Sequence, residues 1–152
     1  MLVFRLVKQQ YSKVLSGKGA AIFGERWNSK GMELIYTAEN RSLAMAEVAV
    51  HFSLATMPSS YNMLSIFIPD NLTIKEIKTI ELPDDWNTFP HAKSTQNIGD
   101  NFILENKFVT LKVPSVVTKG DFNILINPHH KDFKKIKIKS SEPFLFDRRI
   151  FR

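Results

Sequence analysis

The apolar residues of this chain fall into short runs separated by turn signals, and this pattern constrains the fold more than any other feature. It predicts seven or eight short strands. Two further segments have helical periodicity, residues 43–54 and a shorter stretch from Ser94 or Thr95 to residue 106, while residues 11–24 are predicted to form a loop. Strands and helices mixed in one chain of 152 residues predict a single α+β domain, residues 1–152, with two main helices. The strand-length runs lie at residues 2–7, 33–37, 63–68, 73–80, 108–113, 123–126, 136–139 and 144–146.

The first predicted helix carries two titratable residues in a mostly apolar sequence. Asn40 or Ser42 is a suitable N-cap. Glu47 and His51 are four positions apart, so on a helix they share one face. This pattern permits two interpretations. Both residues form the solvent-facing stripe of an amphipathic helix, or Glu47 points into a cleft as an acid, a base or a stabiliser of positive charge.

A second candidate is the segment Gly-Glu-Arg-Trp-Asn-Ser at residues 24–29. A guanidinium binds phosphate oxygens in a bidentate manner, and an adjacent aromatic ring can stack on a base or ribose. Arg26 and Trp27 are therefore candidates for an anion site. The alternative is a surface loop that Trp27 anchors in the core.

Other catalytic motifs are weak or missing. Ser115 follows Pro114 at a strand end, where it either donates a hydrogen bond into a cleft or serves as a turn residue. No Gly-x-Ser-x-Gly motif surrounds it, so a hydrolase triad has no support. The histidines at positions 51, 91, 129 and 130 lack metal-ligand spacing, and no metal site is predicted. Walker and dinucleotide-fold motifs are also missing.

The net charge of +6 favours a nucleic-acid-binding module or an RNase-type toxin as an alternative function. The charge is unevenly distributed. Residues 1–118 carry 12 basic and 11 acidic side chains, whereas residues 119–152 carry 9 and 4. In the second segment Lys135, Lys137 and Lys139 alternate with isoleucines, which is typical of a protected edge strand. The distribution of charge thus argues against direct contact with nucleic acid.

The setting follows from what the sequence lacks. It contains no cysteine, which excludes disulfides and thiolate metal sites. The N-terminus reads as a strand rather than a signal peptide. The apolar stretch 43–55 is too short and polar to span a bilayer. We expect a cytoplasmic protein with no membrane contact.

The ordered set of motifs resembles the RES domain over nearly the whole chain. The family takes its name from an arginine, a glutamate and a serine, matched here by Arg26, Glu47 and Ser115. Glu25 and Lys30 depart from the family pattern, where glycine and proline are common. The matching motifs are Arg5 in Phe-Arg-Leu, residues 24–29, Leu-Ile-Tyr-Thr-Ala at 34–38, Ala-Glu-Val-Ala-Val-His at 46–51, Val-Pro-Ser-Val-Val at 113–117, Asn-Pro-His at 127–129 and Pro-Phe-Leu-Phe-Asp-Arg at 143–148.

The resemblance implies a fold similar to that of ADP-ribosyltransferase toxins. RES proteins are toxins of bacterial toxin–antitoxin pairs, usually encoded with an Xre-like antitoxin. They consume NAD⁺ by hydrolysis or phosphorolysis, and some transfer ADP-ribose to a protein. NAD⁺ is then the substrate, with no further cofactor, and a toxin homodimer within the antitoxin complex is ordinary. The acceptor of the ADP-ribose stays open.

The resemblance also implies a set of site residues. Catalysis is expected from Glu47, which stabilises charge on the ribose, and from Arg26 on the pyrophosphate. Tyr36 is expected at the nicotinamide and Ser115 at the nicotinamide or its ribose. The remaining expected contributors are Arg5 as a further NAD⁺ contact and Trp27, Asn28, His51 and Asn127 as supports.

Overall fold

A computed structural model describes residues 1–57 and 59–151 as one seven-stranded sheet with three helices. The sheet order is β4-β5-β6-β2-β1-β3-β7, and every neighbouring pair is antiparallel except β4 and β5. The predicted α+β class is confirmed. The strands are β1 (Leu2–Lys8), β2 (Ile35–Ala38), β3 (Tyr61–Phe67), β4 (Ile74–Glu76), β5 (Thr110–Pro114), β6 (Phe122–Ile126) and β7 (Lys137–Phe144), and the helices are α1 (Lys18–Phe23), α2 (Arg41–Ala49) and α3 (Lys93–Glu105).

The centre of the sheet is nearly split between β1 and β2. These two strands pair at a single position, Phe4 opposite Ala38. In contrast, β1 pairs with β3 along its whole length, from Leu2 opposite Phe67 to Lys8 opposite Tyr61. The strands on either side of the split are therefore firmly held, while the split itself leaves room between them.

Alternation along β1 sends its side chains into two cores. Val3 packs with Ile35 of β2 on one face of the sheet. On the other face, Phe4 packs against Leu43 and Ala44 of α2. Helix α2 thus covers the split on that face.

Helix α2 begins as predicted and ends early. The Asn40 side chain accepts a hydrogen bond from the Leu43 amide at 2.8 Å, which confirms the N-cap. The helix ends at Ala49, because the amide of His51 bonds the carbonyl of Val48 in a tighter turn. His51 therefore lies just beyond the helix, not on it as predicted.

Helix α3 begins at Lys93, slightly before the predicted start, and Ala92 is its N-cap. Neither Ser94 nor Thr95 caps it, because both lie within its first turn. Gly99, which weakens a helix by propensity, packs directly against the backbone of Trp27, and an added Cβ would overlap the Trp27 carbonyl oxygen. Gly99 therefore sets how closely the Trp27 loop approaches α3.

The remaining differences lie in short segments. The predicted loop 11–24 contains α1. The predicted strand 73–80 is shortened to β4 and followed by the 3-10 helix Thr79–Glu81. The last two predicted strands merge into β7, which pairs with β3 through a bulge beside Ser65. Across the described residues, no helix is long and apolar enough to cross a membrane.

The alternating lysines Lys135, Lys137 and Lys139 lie only partly on a strand. Lys135 lies in a 3-10 helix, Lys131–Lys135, and pairs with Asp132 at 2.8 Å. Lys137 and Lys139 are exposed on β7, which is an edge of the sheet. This placement fits edge protection. Arg152, the last basic residue of the segment, lies outside the described residues.

We predict that Gly99→Ala lowers the free energy of unfolding by about 1–3 kcal/mol, because the new methyl group overpacks the Trp27 contact. Urea denaturation monitored by circular dichroism would measure it. Gly19→Ala is the matched control, since a Cβ there meets nothing within 4 Å and helix propensity favours alanine by about 1 kcal/mol. Equal or greater stability of Gly99→Ala would contradict the close packing.

Candidate active site

A cavity of about 420 Å³ opens at the split between β1 and β2. This volume is in the range of small-molecule sites. Both strands, α1, α2 and the 24–29 loop contribute to its walls. Six of the residues predicted from the sequence line it: Arg5, Arg26, Trp27, Tyr36, Glu47 and His51.

Glu47 faces this cavity from α2, between the apolar cavity residues Ala44 and Val48. Its Oε1 accepts a hydrogen bond from Ser115 Oγ at 3.0 Å. A carboxylate on an otherwise apolar wall favours the cleft interpretation over the solvent stripe. The exposure of Glu47 agrees, since its side chain is partly buried.

Ser115 is buried, and its hydroxyl is fixed from both sides. While donating to Glu47, its Oγ accepts the backbone amides of Val117 and Thr118 at 3.1 and 3.2 Å. The turn after Pro114 aims these two amides at the hydroxyl. Ser115 is therefore the turn residue, and it acts at the cavity through its hydrogen bond to Glu47, since Ser115 itself is not among the lining residues.

Two guanidinium groups share the cavity with Glu47. Arg5 Nη1 donates to the Ser16 carbonyl at 3.1 Å, and burial lowers the pKa of Arg5 to about 10, which leaves it charged at neutral pH. Arg26 Nη1 donates to the carbonyls of Trp86 and Thr88, each at 2.8 Å. Burial lowers the pKa of Arg26 and the charge of Glu47 opposes this shift.

Each of these bonds uses one nitrogen of a group that has five N–H donors. Neither arginine forms an ion pair with a carboxylate anywhere in residues 1–57 and 59–151. The cavity thus contains positive charge with donors to spare, as an anion site requires.

The Tyr36 hydroxyl is committed to the protein. It donates to Asn28 Oδ1 at 2.7 Å and accepts the Trp27 amide at 3.0 Å. Burial raises the pKa of Tyr36 well above its usual value, so it stays protonated. Its ring borders the cavity while its hydroxyl holds the loop that carries Arg26.

The Asn28 side chain also holds the loop that carries Arg26. It is fully buried, and its Nδ2 donates to the carbonyls of Ala20 and Met32 at 2.8 and 3.0 Å. Trp27 is buried against Phe102 of α3 and also borders the cavity. The structure therefore places Trp27 in the core and Arg26 at the cavity, and anion binding by Arg26 stays a prediction.

The structure does not bring Asn127 to the cavity. Asn127 is fully buried beyond the far end of β6, where its Nδ2 donates to Asn106 Oδ1 at 3.0 Å and its Oδ1 accepts the His129 amide. The residue of β6 that lines the cavity is Asn123, which donates to the Thr37 carbonyl at 3.3 Å.

Sequence reasoning missed the cavity residues Glu25 and His91. Their Oε2 and Nε2 atoms lie 3.6 Å apart. Arg26 fixes the segment before His91 through Thr88, which is 62 positions away along the chain. A contact between residues so far apart in the sequence cannot be predicted from a local sequence pattern. The departure of Glu25 from the family pattern was the one available signal.

The comparisons with known proteins identify the family of this chain. The chain matches the RES domain over residues 2–147. This chain belongs to the RES domain family. The resemblance predicted from the motifs is confirmed, and with it membership of a family of toxins.

The relatives of this RES domain span nearly its whole length. A protein of Yersinia enterocolitica named "Toxin Res" is 33% identical, with 99% of each chain covered. A Sphingobium protein named "Prs ADP-ribosylating toxin" is 36% identical over 91% of this chain and 87% of its own. A chain of the M. tuberculosis MbcT–MbcA toxin–antitoxin complex shares the fold, with a TM-score of 0.75 and 19% identity over 99% of this chain and 86% of that one.

We predict that the pKa of His91 lies below the ordinary histidine value of about 6.5, because burial and the charge of Arg26 disfavour its protonation while Glu25 only partly compensates. NMR titration of the His91 ring would measure it. Since the unfolded chain then binds this proton more readily, His91 favours folding above pH about 6.5 and this contribution is lost as pH falls through the lower folded value. His91→Asn should flatten the fall in stability between pH 7 and 5. A midpoint above 6.5 would contradict the assignment.

Proposed function

We propose that this RES domain is a toxin that cleaves the nicotinamide–ribose bond of NAD⁺. The proposal is carried by one arrangement, the carboxylate of Glu47 held by Ser115 in a cavity that also contains the guanidinium groups of Arg5 and Arg26. A dinucleotide presents two phosphates to cations and a ribose to a carboxylate.

Glu47 acts on the ribose during bond cleavage. The bond between nicotinamide N1 and ribose C1′ breaks, and its electron pair leaves with nicotinamide, which departs neutral. Positive charge develops on the ribose, as in an oxocarbenium ion. The fixed Glu47 carboxylate stabilises this charge more than it stabilises the ground state. An acceptor oxygen then bonds to C1′, and with water the products are ADP-ribose and a proton.

The neighbouring side chains keep this geometry. Arg5 and Arg26 bind the pyrophosphate through the donors that the protein leaves free. Ser115 positions Glu47 through its hydrogen bond, and the Tyr36 ring packs beside the nicotinamide. Since the leaving group needs no proton, one carboxylate without a metal is sufficient for this chemistry.

The decisive experiment incubates the purified full chain with NAD⁺, with and without inorganic phosphate, and follows free nicotinamide. We expect release, and the phosphate dependence would separate hydrolysis from phosphorolysis. No release from protein shown to be folded by circular dichroism would refute the proposal.

We predict that Glu47→Gln lowers kcat by about 10²–10³-fold, the range seen when one charge-stabilising group is removed. The melting temperature should change little, since glutamine keeps the shape and still accepts from Ser115. Glu105→Gln is the control, because Glu105 is an exposed carboxylate that pairs with Lys75 and does not line the cavity. An unchanged rate for Glu47→Gln would remove Glu47 from the mechanism.

Transfer of ADP-ribose to a protein is the second candidate function. It is favoured by the Sphingobium relative, whose name describes an ADP-ribosylating toxin. The same cavity and the same bond cleavage would serve, with a protein side chain as the acceptor. Mass spectrometry of a treated lysate distinguishes the two, because only transfer leaves an ADP-ribose adduct.

We further propose a cognate antitoxin of the Xre-like type as partner, in the cytoplasm. The shared fold with a chain of a toxin–antitoxin complex supports such a partner. A toxin homodimer within that complex is part of the same proposal, and light scattering of the co-purified proteins would give its stoichiometry.

A further inference from the structure

The aromatic ring of Phe23 lies at the rim of the cavity and is largely exposed to solvent. Phe23, the last residue of α1, lines the cavity, yet 71% of its surface is exposed. Single exposed apolar residues are ordinary on a protein surface. A largely uncovered ring at a cavity edge instead offers a stacking surface to a bound ligand.

The rest of the α1 wall is unusually small. Gly19 and Ala20 line the cavity beside Phe23, and Gly19 lies one helical turn before it, on the same face. A Cβ built on Gly19 meets nothing within 4 Å. The space next to this wall is therefore open, with the Phe23 ring at its side.

Arg5 connects this space to the anion site. Its Nη1 bonds the Ser16 carbonyl, two residues before α1 begins at Lys18. A phosphate bound by Arg5 would lie near the N-terminal end of α1, whereas Glu47 belongs to α2. This inference rests on the proposed function, and under it the placement of Arg5 and Glu47 sets the orientation of the substrate. With the reacting ribose at Glu47 and the pyrophosphate at Arg5, the adenosine half extends towards α1.

We propose that Phe23 stacks on the adenine base of the dinucleotide, in the space that Gly19 and Ala20 leave open. Stacking of a base on an aromatic side chain is worth about 1–3 kcal/mol by alanine substitution, a factor of about 5 to 150 in affinity. The subsite therefore adds affinity through the part of the substrate that does not react.

Calorimetric titration of the full chain with ADP tests this subsite, and inorganic pyrophosphate provides the comparison without a base. We expect Phe23→Ala to weaken ADP binding about 5- to 150-fold and to leave pyrophosphate binding unchanged. Phe23→Trp should retain ADP affinity. Ile22→Ala is the matched control, since Ile22 is similarly exposed but lies outside the cavity lining.

A second variant separates loss of the subsite from loss of the fold. Gly19→Leu places a side chain into the open space, so ADP affinity should fall while thermal stability stays equal or rises, because leucine favours a helix over glycine. Wild-type affinity for ADP in Phe23→Ala, or no ADP binding by the wild type, would overturn the proposal. Nicotinamide release is scored separately, so ADP binding that depends on Phe23 without any release would refute NAD⁺ cleavage and leave the subsite standing.

Discussion

The near-split of the sheet between β1 and β2 is the constraint on which the rest of the structure depends. One residue pair, Phe4 opposite Ala38, joins the two strands. A sheet opened at its centre would ordinarily be weak, yet here packing on both faces joins the two strands beside the cavity. Val3 and Ile35 share one core across it, and α2 lies over the other face. The same packing that closes the split brings Glu47 to its edge.

Two functional side chains at the cavity, Glu47 and Arg26, are oriented by segments distant from them in sequence. Ser115 holds Glu47 from across 68 positions. Tyr36 and Asn28 fix the loop that carries Arg26, and that loop rests on α3 where Gly99 has no side chain. Because buried polar groups are costly without partners, these bonds make the cavity walls a consequence of the fold rather than of local sequence.

This dependence explains how far the sequence could predict the molecule. Periodicity and the Asn40 cap were sufficient to place α2, and alternation was sufficient for most strands. The direction of Glu47 was not predictable, because an amphipathic pattern has the same form whether its polar stripe meets water or a cavity. The position of His91 was not predictable for another reason. His91 joins the site through a segment that Arg26 holds from 60 and 62 positions away along the chain. Helix α1 is shorter than the window from which helical periodicity can be recognised.

The distribution of charge follows the same logic. The total of +6 points towards polyanions, but its excess lies after residue 118, where Lys137 and Lys139 line an exposed edge strand. At the cavity, charge acts by position instead. Arg5 and Arg26 share the cavity with two carboxylates, those of Glu25 and Glu47, and partial burial strengthens each interaction relative to water. In the proposed function the two arginines bind the pyrophosphate and Glu47 acts on the ribose, so the position of each charge decides its role. The net charge of a chain therefore says little about a site whose opposite charges are separated within one small cavity.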